Sequence, residues 1–286
     1  MDMDTKLTSS RRFWVKSSVF GLLGISTQHL KWPIGHNRQD GLNAENDSPD
    51  HRYPAIHLDI AAEIVGVSHF NLERLRELVD PRPELSKACW DWGFGDWESA
   101  LGAASHVGRK DIATYLMQQG ATPTIFTYAM FGAYATVKAM MDASPGMQRI
   151  TGPHGISLLQ HARLGLEMDD TDQNQVRQLI DYLEGLGDAE EPVYQPVSET
   201  EKEKYLGDYK YGDGMSDGFS VKLNMKKSLS LGKIGKFGGA LLKTGENQFI
   251  YNGAPSVRIS FTVEDGRVLS LTVHEPGFEV QAMKIS

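Results

Sequence analysis

The chain is short of thiols: among 286 residues only Cys89 is a cysteine. That excludes an intrachain disulfide and any cysteine-rich metal site. Long apolar runs are missing too. Nothing approaches the roughly 20 residues a membrane-crossing helix needs, so no stable membrane span is expected. Positive charge is in deficit, with 29 Lys and Arg against 37 Asp and Glu and a formal net charge of -8. An acidic chain gains nothing electrostatically from nucleic acid or anionic lipid, so no nucleic-acid partner is expected. What is present, 40% hydrophobic and 23% charged residues, is the composition of a soluble globular protein, long enough for two domains.

Residues 1–30 read as an export signal or tail. Ser10-Arg11-Arg12-Phe13-Trp14-Val15-Lys16 has a polar residue, paired arginines, an aromatic, an aliphatic and a lysine, followed by a short apolar segment from Val19 to Ile25. The string resembles the twin-arginine signal. The resemblance implies passage of the folded protein across a bacterial inner membrane, with the periplasm as its place and a basic tail on a cytoplasmic protein as the alternative. Residues 31–53, rich in Asn, Asp, Pro, Gly and His, read as linker, because such a composition cannot bury enough apolar surface to offset ordering.

Residues 54–189 read as helical and repetitive. Around Gly108 the apolar positions fall at Leu101, Ile112, Leu116 and Met117; around Gly132 at Ile125, Val137, Met140 and Met141. Gly165 carries Leu158 before it, and 33 residues separate it from Gly132. An earlier copy fits with Phe70 in the glycine place. Each unit predicts a short first helix with small residues (Ala103, Ala104, Ala129, Ala162) and a second helix with larger apolar ones. The glycines at 108, 132 and 165 are expected to take a left-handed backbone between helices.

Residues 95–121, G-D-W-E-S-A-L-G-A-A-S-H-V-G-R-K-D-I-A-T-Y-L-M-Q-Q-G-A, resemble an ankyrin repeat, with Ser99-Ala100-Leu101-Gly102 at its T-P-L-H and Arg109 at its histidine. The wider block is similar to bacterial ankyrin-repeat proteins with divergent repeats. The resemblance covers about 130 residues and implies a stack that buries a continuous core repeat by repeat. The spacing is irregular, 38 residues from Phe70 to Gly108 and 24 from there to Gly132, and the excess of the first interval is a tryptophan-rich insert.

That insert supplies the candidate binding residues: Trp90, Asp91, Trp92, Asp96 and Trp97, with His106 nearby. Tryptophan favours interaction hot spots, so the cluster reads as a binding surface. The competing reading is a packed loop whose indoles fill the gap left by the broken period, and it is expected to hold for at least two of the three tryptophans. Histidines 57, 69, 106, 154 and 161 lie in this half, but none has i, i+4 spacing or an H-E-x-x-H context. No metal ligands and no cofactor are therefore expected; His106 should bond locally and His154 should open a turn.

Residues 190–204, with two prolines and many charges, read as a linker ending in a helical turn at 199–204. Residues 205–286 change to period-two alternation. Strands are expected at 205–209, 219–225, 228–231, 240–243, 248–251, 257–263, 268–274 and 279–285, joined by turns such as Asn252-Gly253 and Asp265-Gly266. Together with the helical half this makes an α+β two-domain chain: an ankyrin-like stack, then a small antiparallel barrel or sandwich, a lipocalin-like meander. Tyr205-Leu-Gly-Asp-Tyr209 and the hairpin from Phe261 to Gly277 resemble the β module appended to serine hydrolases of the penicillin-binding class. Gly214-Met-Ser216-Asp-Gly218 and Ser230-Leu-Gly-Lys233 fit G-x-S-x-G and S-x-x-K, but neither has the helix its chemistry requires. No catalytic residue is assigned. The function expected is that of a non-enzymatic exported protein that binds a protein partner through the stack. A small-ligand-binding or hydrolase-associated accessory role for the β domain is the alternative.

Overall fold

A computed structural model describes residues 52–168, 171–224, 226–236 and 238–285. The proposed signal and most of the first linker lie outside the described residues. The rest is α+β, and its β half is a closed barrel.

Helices come in pairs. They are α1 (Leu58–Val67) with α2 (Leu72–Val79), α3 (Ala100–His106) with α4 (Lys110–Gln118), α5 (Ile125–Met130) with α6 (Tyr134–Ala143), and α7 (Leu158–Leu164) with α8 (Gln173–Leu186). The first helix of each pair packs on the first helix of the next, α1 on α3, α3 on α5 and α5 on α7. Ala103, Ala104, Ala129 and Ala162 are fully buried along this line, small enough to let the backbones approach. The larger residues Ile112, Leu116, Val137, Met141, Val176, Leu179 and Leu183 close the core from the second helices. Starts are set by side-chain caps: Asn71 accepts from the Arg74 amide, Ser99 from Gly102, Ser157 from Gln160 and Asp172 from Asn174, each satisfying an amide the helix leaves unpaired.

Gly108 and Gly132 take the left-handed backbone expected of them, with φ of 72° and 69°. Gly165 does not. Its φ is -59°, and it is needed for space instead. A Cβ there would stand 3.1 Å from the Met130 carbonyl oxygen and 3.1 Å from a Val176 methyl. The same residue type thus meets two different demands at equivalent places.

Between the first two pairs the chain makes a 3-10 turn (Pro83–Lys87) and a hairpin, β1 (Cys89–Asp91) with β2 (Trp97–Ser99). Trp90 lies opposite Glu98 and Asp91 opposite Trp97. The turn needs Gly93-Phe94-Gly95, all three at positive φ (131°, 57° and 84°). Asp91 Oδ1 holds it by accepting from the amides of Gly93 (2.9 Å) and Gly95 (3.2 Å).

After a short helix α9 (Glu199–Tyr205), eight strands run β3 (Gly207–Lys210), β4 (Gly218–Leu223), β5 (Leu229–Lys233), β6 (Gly239–Gly245), β7 (Gln248–Tyr251), β8 (Ala254–Glu264), β9 (Arg267–Glu275) and β10 (Phe278–Lys284). Each pairs antiparallel with its neighbour in sequence, and β10 pairs β3 to close the barrel. Closure leaves no open sheet edge, so the sandwich alternative falls away. The interior is filled, as eight strands allow: Tyr205, Tyr209, Phe249 and Phe261 pack their rings together among Val221, Leu231, Ile259, Leu271 and Val273. No helix among the described residues is long and apolar enough to cross a membrane.

Candidate metal centre

Four side chains converge beneath the hairpin turn. Strand alternation puts Asp96 and Glu98 on its inner side while Trp97, between them, points out and is 64% exposed. The Glu98 side chain is fully buried. Around it stand His69, from the loop after α1, His106, the last residue of α3, and His154, from the turn before α7. One ligand-type atom from each of His69, Glu98, His106 and His154 lies within 4.8 Å of every other. The rings meet edge to face, His69 on His106 at 4.9 Å and His106 on His154 at 5.1 Å between centroids.

Two of the imidazoles are held from behind. His69 Nδ1 lies 3.1 Å from the carbonyl oxygens of Val65 and of Gly66. Both are acceptors, so Nδ1 carries the proton and the Nε2 lone pair faces Glu98 Oε2 at 3.4 Å. His154 Nδ1 donates to Asp96 Oδ2 at 2.7 Å, and its backbone amide to Asp96 Oδ1 at 2.8 Å. Its Nε2 then faces Glu98 Oε1 at 3.5 Å. A carbonyl or carboxylate that fixes the far nitrogen of a histidine is how proteins orient imidazoles toward an ion. Trp92 Nε1 donates to Glu98 Oε2 at 2.7 Å and fixes the carboxylate plane.

Two atoms are left over. Glu98 Oε1 and His106 Nδ1 are buried and have no hydrogen-bond partner among the described residues. They are 2.9 Å apart, out of line for a hydrogen bond between them. Two lone pairs at that distance repel, so the contact calls for a proton on His106 Nδ1 or a cation beside the pair, and a buried carboxylate oxygen without an aligned donor is costly.

The electrostatics point the same way. Burial alone would push the Glu98 carboxyl up, but the imidazoles of His106 and His154 outweigh it and hold it well below the usual carboxylate range. Burial depresses His154, yet Asp96 and Glu98 overcome that and raise it to about 9. His69 is lowered, chiefly by burial. The arrangement therefore keeps an anionic carboxylate at the centre of three imidazoles, and a metal ion bound there must displace the proton that Asp96 and Glu98 hold on His154. Three nitrogens and one oxygen suit a divalent first-row transition ion better than calcium or magnesium, which prefer oxygen. A tetrahedral ion with bonds near 2.1 Å would bring its ligands to about 3.4 Å from one another, close to the separations of Glu98 from His69 and His154 already present.

The residues singled out from sequence divide. His106 is in the cluster. Asp96 and Trp92 hold cluster members in place. Asp91 ties the turn. Trp90 and Trp92 are half-buried against the first helical core, so packing accounts for two of the three tryptophans, and Trp97 alone projects. His69, Glu98 and His154 were absent from the candidate list. Their separations, 69 to 98 to 106 to 154, follow no local pattern, and only the fold joins them. Glu98 did leave a trace, as one of two carboxylates alternating with Trp97 on the face shared with Trp90. His154 left another in its left-handed backbone, φ 59°, which a non-glycine residue adopts at a cost of about 1 kcal/mol or more. His161 is separate: it is buried, its Nδ1 donates to the Ser157 carbonyl at 2.8 Å, and it belongs to the helical core.

The serine motifs lead elsewhere. Ser216 is exposed in the loop between β3 and β4, and Ser230 Oγ donates to the Lys222 carbonyl at 3.0 Å. A third arrangement has the order of a hydrolytic relay: Ser260 Oγ is 2.8 Å from His274 Nε2, and His274 Nδ1 is 2.6 Å from Glu279 Oε1. It lies on the outer barrel face, and Ser260 is paired with Gln248 on one side and Thr272 on the other. Ladder pairing occupies the backbone around Ser260, leaving no amide pair for an oxyanion.

The fold and site together define a class: an α+β chain of paired helices and a closed barrel, with a histidine-carboxylate centre under a hairpin that touches both halves. No family model, curated protein or solved structure matches the chain.

Proposed function

We propose that this protein binds a divalent first-row transition-metal ion, zinc foremost, through His69, Glu98, His106 and His154. The carrying observation is the convergence of one ligand-type atom from each of these four side chains within 4.8 Å, with Glu98 Oε1 and His106 Nδ1 buried, 2.9 Å apart and out of line for a hydrogen bond. Asp96, Trp92 and the α1 carbonyls act behind the ligands. The proposal departs from the expectation of no metal, which rested on spacing alone. Protons on His106 and His154 are the competing occupants, since they would make ion pairs with Glu98 Oε1 at 2.9 Å and 3.5 Å.

Cobalt(II) is the probe. Added to the chelator-treated full chain, it gives visible d–d bands that saturate at one ion per chain, and zinc abolishes them by displacement. Glu98→Gln lowers affinity at least about tenfold, as losing a charged ligand would. If neither cobalt nor zinc binds stoichiometrically to folded wild-type protein at micromolar concentration, the reading fails.

Trp97 favours a second activity on the same hairpin. The stacked first helices support an ankyrin-like reading, and an indole projecting from such a stack suits the protein partner expected of an exported binding protein. Trp97→Ala should then reduce recovery of that partner from a bacterial periplasmic extract, and unchanged recovery removes this surface.

A further inference from the structure

The hairpin that carries Glu98 is also the seat of the barrel. Tyr251, at the end of β7, accepts from the Gly239 amide at 2.5 Å and donates to the Trp92 carbonyl at 3.0 Å. Its ring meets Phe94 at 4.8 Å between centroids. Phe94 packs against the barrel core, whereas Trp90 and Trp92 pack against the helical core, so one turn of chain serves both. Two residues on, the Asn252-Gly253 turn between β7 and β8 abuts the centre itself. A Cβ on Gly253 would overlap the Asp96 carboxylate, and one on Gly155, next to His154, would stand 2.9 Å from Asn252 Oδ1. Tyr251, fully buried, and Gly253 therefore touch the two strips that present Glu98 and His154, namely 92–98 and 152–156.

We propose that occupancy of the metal centre controls the seating of the barrel on the helical half. This rests on the metal-binding reading above. An ion draws Glu98 and His154 to a common point. Asp96 is tied to His154 by two hydrogen bonds and Trp92 to Glu98 by one. Fixing the ligands thus fixes the Trp92 carbonyl, the Phe94 ring and the Asp96 carboxylate, the surfaces on which Tyr251 and Gly253 rest. Without the ion, the two strips are joined by the Asp96–His154 hydrogen bonds and by the contact of Glu98 with the His154 ring at 3.5 Å, a looser tie than a shared ligand point. Coupling of this kind is reciprocal: a change on the barrel side that unseats the turn must weaken metal binding by the same factor. The isolated bridge between Gln195 and Lys243 (N to O, 3.0 Å) lies away from the centre and serves as the internal reference.

The test uses the full chain after chelation. Zinc is added, and amide hydrogen exchange is followed in 92–98, 152–156 and 251–254. All three segments slow about tenfold, although 251–254 contains no ligand, while the 195–243 bridge changes little. In parallel, cobalt affinity is measured for Gly253→Ala, which crowds Asp96 without touching a ligand, and for Gly266→Ala, a left-handed glycine with nothing within 4 Å of its added Cβ. The first loses about tenfold in affinity, a middling coupling; the second stays within about twofold. If wild type binds cobalt but exchange in 251–254 is unchanged, or if a folded Gly253→Ala binds like wild type, the coupling is refuted and the metal reading stands. If wild type binds no metal, both fall. If Gly253→Ala does not fold, the exchange data on wild type decide alone.

Discussion

His161 gives the protein a calculable sensitivity to acid. It is fully buried in the helical core against Phe126. Burial, only partly offset by its bond to the Ser157 carbonyl, lowers its pKa from 6.5 to about 4. A base whose folded pKa is depressed takes up more protons in the unfolded chain at every pH between the two values. Stability is then complete above 6.5 and is lost as pH falls toward 4. The gap of about 2.5, at about 1.4 kcal/mol per unit, caps the loss at about 3 to 4 kcal/mol. Between pH 7.5 and 4.5 most of it, about 2 to 3 kcal/mol, should appear. The assay is urea unfolding of wild type and His161→Gln at a series of pH values, with chelator present. Groups that do not interact with His161 contribute alike to both proteins and cancel in the difference. Wild type should lose about 2 to 3 kcal/mol more than the variant over that range. Parallel curves would mean that the buried ring is protonated without penalty, and the burial argument would be wrong.

Three further outcomes follow from single contacts. Gly253→Ala should destabilise the protein by more than about 2 kcal/mol in thermal or urea unfolding, since it adds overlap with Asp96 to the cost of a left-handed side chain, whereas Gly266→Ala should cost only the latter, about 1 kcal/mol. Trp92→Phe keeps the ring but removes the donor to Glu98 Oε2 (2.7 Å); the stranded oxygen should cost about 1–3 kcal/mol, while Trp97→Ala, at an exposed position, should stay within about 0.5 kcal/mol. Gly165→Ala should destabilise by about 1 kcal/mol or more through the Met130 and Val176 contacts, not through backbone strain, so Gly165→Ser should be no milder.

The β half was legible strand by strand because a barrel wall is two-sided. Val257, Ile259 and Phe261 face in and Arg258, Ser260 and Thr262 face out, and that alternation is written directly in the chain. Turn chemistry at Asn252-Gly253 and Asp265-Gly266 marked the ends. What alternation does not encode is closure, which depends on β10 finding β3 some 70 residues away. The helix pairs were legible for the same local reason, through their apolar period and their glycines. Gly165 shows the limit of that reasoning: the sequence position was right and the physical reason was not, because a left-handed turn and a close approach both call for a missing Cβ. The centre was the least legible part. His106 was picked for its nearness to the tryptophans, but His69 and His154 enter only through the packing of α1 and the α7 entrance on α3.

The hairpin itself argues against a purely structural purpose. A loop that only filled the gap between two helix pairs would be served by apolar side chains, and Trp90 and Phe94 show that apolar residues fit there. Instead the chain buries two carboxylates, Asp96 at 3% and Glu98 at 1% exposure, and turns through a phenylalanine at φ 57°. Each of these is unfavourable alone. Asp96 is compensated by His154, and one oxygen of Glu98 by Trp92; the other oxygen faces His106 at 2.9 Å and His154 at 3.5 Å, neither in line for a hydrogen bond. Substituting Glu98 by a residue of similar size without charge therefore separates the two purposes. If the hairpin is structural, Glu98→Met should destabilise the protein equally with and without zinc, since it strands the Trp92 donor and the imidazoles that face Glu98. If it serves an ion, the same substitution should in addition abolish the rise in melting temperature that zinc gives the wild type. A zinc-dependent rise that survived in Glu98→Met would place the ion elsewhere.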